Sequence, residues 1–379
     1  MAENRHPCMH EIEPVDALDR QRNGALLIDV REPDERASGF AAASLALPLG
    51  QLERGIGVLA PACSHEVLAI CASGQRSRLA VERLHALGYT HACSVRGGYT
   101  RWLQQGLPSE RGTLDADFAE RYSRHLLLPE IGVVGQLRLA GARVALVGAG
   151  GLGAPVALYL AAAGVGHLRL IDDDRVERSN LQRQVVHTEA RIGVPKVESA
   201  RTALGALNPT LEIDAVAQRV EASNVEALLR GHDVIVDGAD NFPTRYLLSA
   251  ASLRLGIPMV YGAVHRFSGQ ASVFDPRRAD SPCYRCLFPH PPSADEAPNC
   301  SEAGVLGVMP GIVGMLQASE TLKLLLGIGE PLVGRLLCHD ALAGTFRELR
   351  LPRDPECPGC SDSAAFGGYE DLARICAAP

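Results

Sequence analysis

The stretch RVALVGAGGLGAPVALYLAAAG, residues 143–164, constrains the fold of this chain more than any other. An apolar run of strand length meets a glycine cluster, and an alanine-rich helical pattern follows. Gly148, Gly150 and Gly153 give the spacing G-x-G-x-x-G. Glycines at that spacing let the backbone turn tightly and approach a phosphate. HLRLIDDD (167–174), DVIVDGADN (233–241) and IPMVYGAV (257–264) read as further strands, two of them ending in acids. Strands alternating with helices predict a parallel sheet with helices on both faces. Asp172 falls 19 residues after Gly153, at a strand end where a carboxylate can accept both ribose hydroxyls. At this point a nicotinamide dehydrogenase and a nucleotidyl-transfer enzyme fit equally well.

The following residues separate them. DDDRVERSNLQRQ (172–184) and GVPKVESAR (193–201) place Arg183 and Lys196 soon after the ribose acid. A nicotinamide reaction has no need of two such cations, whereas a triphosphate and its departing pyrophosphate do. Asp240, at a strand's carboxyl end, suits Mg²⁺, which takes one or two carboxylates together with phosphate oxygens.

A second chemistry is written near the start. LLIDV (26–30) and VLAIC (67–71) read as buried strands, and CASGQRS (71–77) leads into a helix over Ser77–Leu87 with Leu79, Val81, Leu84 and Leu87 on one side. A thiol at such a loop faces backbone N–H groups and the positive end of a helix dipole, and Arg76 adds charge. Four residues separate Cys71 from Arg76, one fewer than a cysteine phosphatase needs, so the loop suits a single sulfur rather than a phosphate. A buried cysteine that merely closes a core strand gives the same local pattern.

CYRC and CPGC supply Cys283, Cys286, Cys357 and Cys360, two C-x-x-C pairs suited to tetrahedral Zn²⁺ in a structural role. The chain has 11 cysteines, and MAENRHPCMHEIEP lacks the apolar core of a signal peptide, so a reducing cytoplasmic setting is expected. No apolar run reaches the roughly 18 to 20 residues of a membrane span. A net charge of −7 without basic blocks argues against nucleic acid as a partner.

LIDVREPDE, CASGQRS and GGYTRWLQQGLP, in that order, resemble a single-domain rhodanese, a sulfurtransferase. The resemblance implies that Cys71 carries a persulfide. FAAASLALPL (40–49) departs from it, lacking the usual histidine and glycine. From about Ala119 onward RYSRHLLLPEIG, GAGGLG, DDDRVERSNLQRQ, GVPKVESA, DGADN, CYRCLFP, CSEAGVLGVMPGIVGMLQASE and CPGC resemble the MoeB and ThiF adenylyltransferases of the ubiquitin-activating superfamily. That resemblance implies ATP and Mg²⁺ as ligands. Asp172 would bind ribose, Arg183 and Lys196 phosphates, and Asp240 Mg²⁺. Asp174 and Asn180 would line the nucleotide, with Gly151 and Asn241 in the same motifs. Arg124 would reach a partner subunit's ATP site, implying a homodimer.

The expected architecture is α/β throughout. A rhodanese-like domain spans 8–108 and a linker 109–117. A Rossmann-like adenylation domain with a structural zinc site spans 118–379. The expected reaction adenylates the C-terminal Gly-Gly carboxylate of a small ubiquitin-fold sulfur carrier, and the Cys71 persulfide then converts it to a thiocarboxylate. The carrier expected first is the small subunit of molybdopterin synthase, with thiamine or tRNA thiolation as alternatives. Thiosulfate or a cysteine desulfurase would donate the sulfur. Cys300, after the Pro-rich loop PHPPSADEAPNC (289–300), is the candidate second thiol. The readings from other classes are an NAD-dependent oxidoreductase and a non-catalytic scaffold that docks carriers.

Overall fold

A computed structural model describes residues 11–110, 116–290 and 304–369. The chain divides into two compact units, Met1–Leu137 and Arg138–Pro379. Residues 118–137, assigned by the sequence to the second domain, fall within the first unit. The start of the expected linker is itself paired. β7 (Ser109–Glu110) lies antiparallel to β3 (Phe40–Ala41).

The first unit is built on a parallel sheet. It contains β1 (Glu11–Ile12), β2 (Leu26–Asp29), β4 (Leu45–Ala46), β5 (Val67–Ile70) and β6 (Ala92–Val95), in the order β1-β6-β5-β2-β4. β2 and β5 are neighbours from which the chain proceeds in opposite directions across the sheet, so the loops after them flank a crevice at their carboxyl ends. All four residues of β5 are buried, as a two-sided parallel strand demands. Two clusters cover its faces, one around Leu52, Val81 and Leu84, the other around Leu18, Val95 and Trp102. The helix after the cysteine loop, Gln75–Ala86, buries Ser77, Ala80, Val81 and Leu84. That is one i, i+3, i+4, i+7 stripe. Leu79 and Leu87, expected on it, lie off it and are 41% and 42% exposed.

The second unit holds an eight-stranded sheet. Its strands are β8 (Arg143–Val147), β9 (His167–Ile171), β10 (Glu212–Val216), β11 (Val234–Asp237), β12 (Met259–His265), β13 (Ser268–Phe274), β14 (Arg335–Asp340) and β15 (Thr345–Arg350), in the order β10-β9-β8-β11-β12-β13-β14-β15. The first five run parallel, as expected. β13, β14 and β15 extend the sheet antiparallel, which the sequence did not announce. One face carries the core around Val144, Leu160 and Leu204, the other that around Ile235, Tyr246 and Leu248. The direction of chain progress reverses between β8 and β11, which opens a crevice at their carboxyl ends.

FAERYSRHLLL folds as two helices, Ala116–Arg121 and Ser123–Leu126, broken at Tyr122, whose buried ring packs edge-on against Phe118. The segment after Ser361 is tied to the second unit. Tyr369 donates to Glu226 Oε1 at 2.9 Å, and Phe366 lies under the Arg254 guanidinium. Among the described residues no helix is long and apolar enough to cross a membrane.

Candidate active sites and metal centre

Cys71 follows β5 directly and is buried. Its Sγ accepts the Gly74 N–H at 3.1 Å and lies 3.4 Å from Ser77 Oγ. Ser77 is held in turn by Gly74 O and by the Ser94 hydroxyl. A second glycine turn buttresses the loop. Tyr99 N–H donates to Cys71 O at 2.7 Å, and Thr100 donates twice to Ala72 O. This approach requires Gly98, since a Cβ there would lie 2.2 Å from Cys71 O. Thus GGYT serves the cysteine loop from 27 residues downstream (98 − 71).

Arg76 is engaged by a carboxylate of the neighbouring loop. Its guanidinium makes a two-point ion pair with Glu35, at 2.6 and 2.5 Å. That hydrogen bonding lowers the Glu35 carboxyl below its ordinary range and raises Arg76. Glu35 belongs to the REPDE segment after β2, where it also completes a capping box with Glu32. The pair therefore bridges the two loops of the crevice.

The crevice of the second unit opens into a cavity of about 800 Å³. It is lined by Gly148, Gly150, Gly151, Asp172, Asp174, Arg183, Lys196, Asp240 and Asn241, all singled out from the sequence. Gly153 does not line it. A Cβ there would sit 1.8 Å from Gly148 O, so this glycine permits the helix to pack on the turn. Gly148 takes φ +96, a left-handed conformation natural only to glycine.

Asp172 accepts the N–H groups of Ala149 and Asp174, each at 2.8 Å. Burial raises its carboxyl above the ordinary carboxylate range, against the pull of Lys196. Lys196 is 7% exposed, with its Nζ 2.6 Å from Asp174 Oδ2. Asp174 thus pairs with the cation. Asn180 does not line the cavity: its side chain closes a capping box with Glu177 and shapes the loop that presents Arg183. Arg183 Nη1 donates only to Ser179 O among the contacts described for its side chain. Asp240 carries an exposed carboxylate, 3.3 Å from the Asn241 amide. Asn241 caps the helix Phe242–Leu255 through Thr244 N–H. Arg124 is exposed on the short helix Ser123–Leu126 of the first unit.

Several site residues escaped the sequence reading. Gln184 lines the cavity with a buried Oε1 that has no partner among the described residues. Such an acceptor suits a ligand hydroxyl or amine. His187 is buried behind the glycine turn, its Nε2 3.0 Å from Ala149 O and its Nδ1 2.9 Å from Ser199 Oγ. Burial lowers its basicity, so the neutral ring donates from Nε2 to the carbonyl and accepts at Nδ1. Asp237 is fully buried, and burial pushes its carboxyl up to about 6. Its partner Arg245 approaches to 3.5 Å and also donates to Ala239 O, next to Asp240. Asp237 ends β11 and Arg245 lies in the helix Phe242–Leu255 that follows, so no period within a single element pairs them.

The four expected metal ligands converge. Cys283 is the N-cap of the short helix Tyr284–Leu287 and Cys286 lies within it, and Cys357 and Cys360 lie in a turn after β15. Cys283 Sγ is 3.6 Å from Cys357 Sγ, Cys286 Sγ is 3.5 Å from Cys360 Sγ, and all four lie within 4.8 Å of one another. Zinc–sulfur bonds of about 2.3 Å set tetrahedral sulfurs roughly 3.8 Å apart, so the cluster could hold that ion. Asp354 N–H and Gly359 N–H point at Cys286 and Cys357, the outer contacts that orient thiolate ligands. Cys300 lies outside the described residues, as does Cys376.

Two family profiles match the chain. The profile of the ThiF family matches residues 122–359, and that of the rhodanese-like domain matches residues 13–105. The chain is 51% identical over 263 residues to the SAMP-activating enzyme E1 of Haloferax volcanii, covering 69% of this chain and 95% of that protein. It is 48% identical over 260 residues to the sulfur carrier protein adenylyltransferase of Thermus thermophilus, covering 68% and 96%. The adenylyltransferase and sulfurtransferase MOCS3-1 of Zea mays is 46% identical over 282 residues, covering 74% of this chain but 58% of that protein. Among solved structures, E. coli MccB with MccA-N7isoASN superposes with a TM-score of 0.58 at 22% identity, covering 69% of this chain and 80% of that one, a likeness of fold.

Proposed function

The chain belongs to the ThiF family and carries a rhodanese-like domain ahead of it, and from that membership we propose that it activates a small sulfur-carrier protein and supplies it with sulfur. The observation that carries this reading is the gathering of Asp172, Arg183, Lys196 and Asp240 around one cavity at the carboxyl ends of β8, β9 and β11. A nicotinamide cofactor leaves the two cations unexplained.

In the proposed reaction, the C-terminal Gly-Gly carboxylate of a ubiquitin-fold carrier attacks the α-phosphorus of ATP. The P–O bond to pyrophosphate breaks and an acyl-adenylate forms. Arg183 and Lys196 hold phosphate oxygens, and Asp172 and Gln184 face the ribose. Asp240, an exposed carboxylate beside an amide, fits Mg²⁺, which would neutralise charge on the phosphates. Arg245 positions the Ala239–Asp240 loop. A persulfide on Cys71, met by the Gly74 N–H and the helix N-terminus, attacks the acyl carbon and releases AMP. A thiolate such as that of Cys300 then attacks the Cys71 sulfur, freeing the carrier thiocarboxylate and leaving a disulfide. The cysteine cluster holds zinc as a structural tie. Arg124 serves the nucleotide of a second copy in a homodimer. The small subunit of molybdopterin synthase is the carrier proposed first.

ATP–pyrophosphate exchange against a panel of Gly-Gly carriers tests the activation half. Exchange with none of them, while ATP alone stabilises the protein, favours a docking scaffold. A melting shift with NAD⁺ and none with ATP–Mg²⁺ favours an oxidoreductase. Cys71→Ala should retain exchange and lose thiocarboxylate formation, read by carrier mass. Thiocarboxylate at the wild-type rate in that variant removes Cys71 from the reaction.

A further inference from the structure

The cysteine loop contains a cation that is already occupied. Arg76 sits at the first turn of the helix that begins beside Cys71, where an anionic sulfur donor would seek it. The Nη1–Nη2 edge of its guanidinium is instead taken by Glu35, at 2.6 and 2.5 Å, which neutralises its charge. Glu35 is not a chance neighbour, because its carboxylate also accepts the Glu32 N–H at 3.1 Å and is fixed by that capping box. The other arginines of the same loop are occupied too. Arg31 and Arg36 both pair with the buried Asp29, at 2.6 and 2.9 Å. On the far side, Arg96 and Arg101 pair with Glu13, each at 2.9 Å.

A thiosulfate donor needs what this arrangement withholds. Cys71 thiolate would attack its outer sulfur, forming the Cys71 S–S bond and breaking the bond to the sulfonate, which leaves as sulfite dianion. Ground state and leaving group both carry two negative charges, so a free guanidinium would assist them. An organic persulfide, R–S–SH, makes no such demand. The thiolate attacks the terminal sulfur, the proton stays on that sulfur, and the electron pair leaves on the donor as R–S⁻.

We infer that Glu35 is a specificity-determining residue of the sulfur site, which by engaging Arg76 sets the Cys71 loop to accept sulfur from a persulfide rather than from thiosulfate. The inference rests on the reading of Cys71 as the sulfur carrier. It goes beyond that reading in naming the donor class and the residue that selects it.

The test measures persulfide loading of Cys71 in the full chain by mass spectrometry, with thiosulfate and with 2-hydroxyethyl persulfide as probes. Glu35→Gln should raise kcat/KM for thiosulfate at least about tenfold, the factor one ordinary charge-assisted hydrogen bond provides. The value for the persulfide should stay within about twofold. Glu35→Gln combined with Arg76→Gln should cancel the gain, assigning it to the freed guanidinium. Glu35→Asp, which keeps the charge but shortens the reach, should give a smaller gain in the same direction and serves if the glutamine variant folds poorly. An unchanged donor ratio in both single variants, or parallel loss with both donors, overturns the inference and leaves Glu35 a structural tie. Wild-type protein that loads from neither donor overturns the carrier reading itself.

Discussion

Replacing Arg245 with methionine removes a buried cation of similar volume and leaves the Asp237 carboxyl behind. Arg245 is 8% exposed and Asp237 fully buried, so neither can turn to solvent. Breaking such a pair costs about 3–5 kcal/mol when the remaining charge is retained. The charge need not be retained at every pH. Burial already pushes Asp237 up to about 6 with Arg245 in place, against 3.8 for the free group. That difference of about 2 pH units corresponds to roughly 3 kcal/mol. The native state binds this proton more tightly than the unfolded chain does, so stability is fullest below pH 4 and falls as pH rises toward 6. Without the guanidinium the native value rises further, and the decline continues above pH 6. Arg245→Met should therefore cost little near pH 5 and several kcal/mol near pH 8. Guanidinium unfolding at a series of pH values measures this. The lone tryptophan, Trp102, belongs to the first unit, so its fluorescence transition should stay in place while the circular dichroism transition of the second unit moves. Asp237→Asn in the same background should relieve most of the cost at pH 8. A penalty of equal size at pH 5 and pH 8, or no relief from the asparagine, refutes the reasoning. Pyrophosphate exchange should also fall at least about tenfold, because the 2.8 Å tie to Ala239 O beside Asp240 is lost.

Asp240→Ala should abolish pyrophosphate exchange while sulfur loading of Cys71 stays near wild type; equal loss of both would indicate misfolding or a wrong site. Cys357→Ala should release about one zinc per chain and lower the melting temperature of the second unit, as loss of a structural ligand does, and a zinc-free wild type on elemental analysis ends that proposal. Gly153→Ala should abolish ATP binding measured by calorimetry, since its Cβ would stand 1.8 Å from Gly148 O, a backbone atom that cannot yield without opening the turn. Wild-type affinity in that variant would show that the turn adapts.

The parts legible in the sequence share one property: their spacing is local. The glycine turn and Asp172 report themselves within 25 residues (148 to 172), and each cysteine pair within four. β8, β9, β11 and β12 are apolar runs between turn signals, and all four were found. β13 and β15 were not, because SGQASVF, though buried over Ala271–Phe274, is mostly small and polar and makes no long apolar run, and TFRELR is exposed at every position. Leu79 and Leu87 misled for the opposite reason: apolar residues scatter on surfaces without marking a core. Partners chosen by tertiary approach were invisible. Glu35 meets Arg76 across 41 residues, and His187 meets Ala149 across 38. The motif that holds Asn180 was legible, but the bond from the Glu177 N–H to its side-chain oxygen was not.

The two peptides that flank Ala149 are each held, the first through the Ala149 N–H by Asp172 and the second through the Ala149 carbonyl by His187. Its neighbours are tied as well, Gly148 N–H to Ile171 O at 2.8 Å and Gly238 N–H to Val147 O at 2.7 Å. A loop of glycines bordering an open cavity would ordinarily flicker on the nanosecond scale and exchange its amide protons within moments. This one cannot rotate either peptide beside Ala149 without breaking a hydrogen bond. Deuterium should enter the Ala149 amide on the timescale of the surrounding strands rather than of a surface turn, with no nucleotide present. The cradle is thus finished before its ligand arrives, and little of the binding free energy has to be diverted into ordering it.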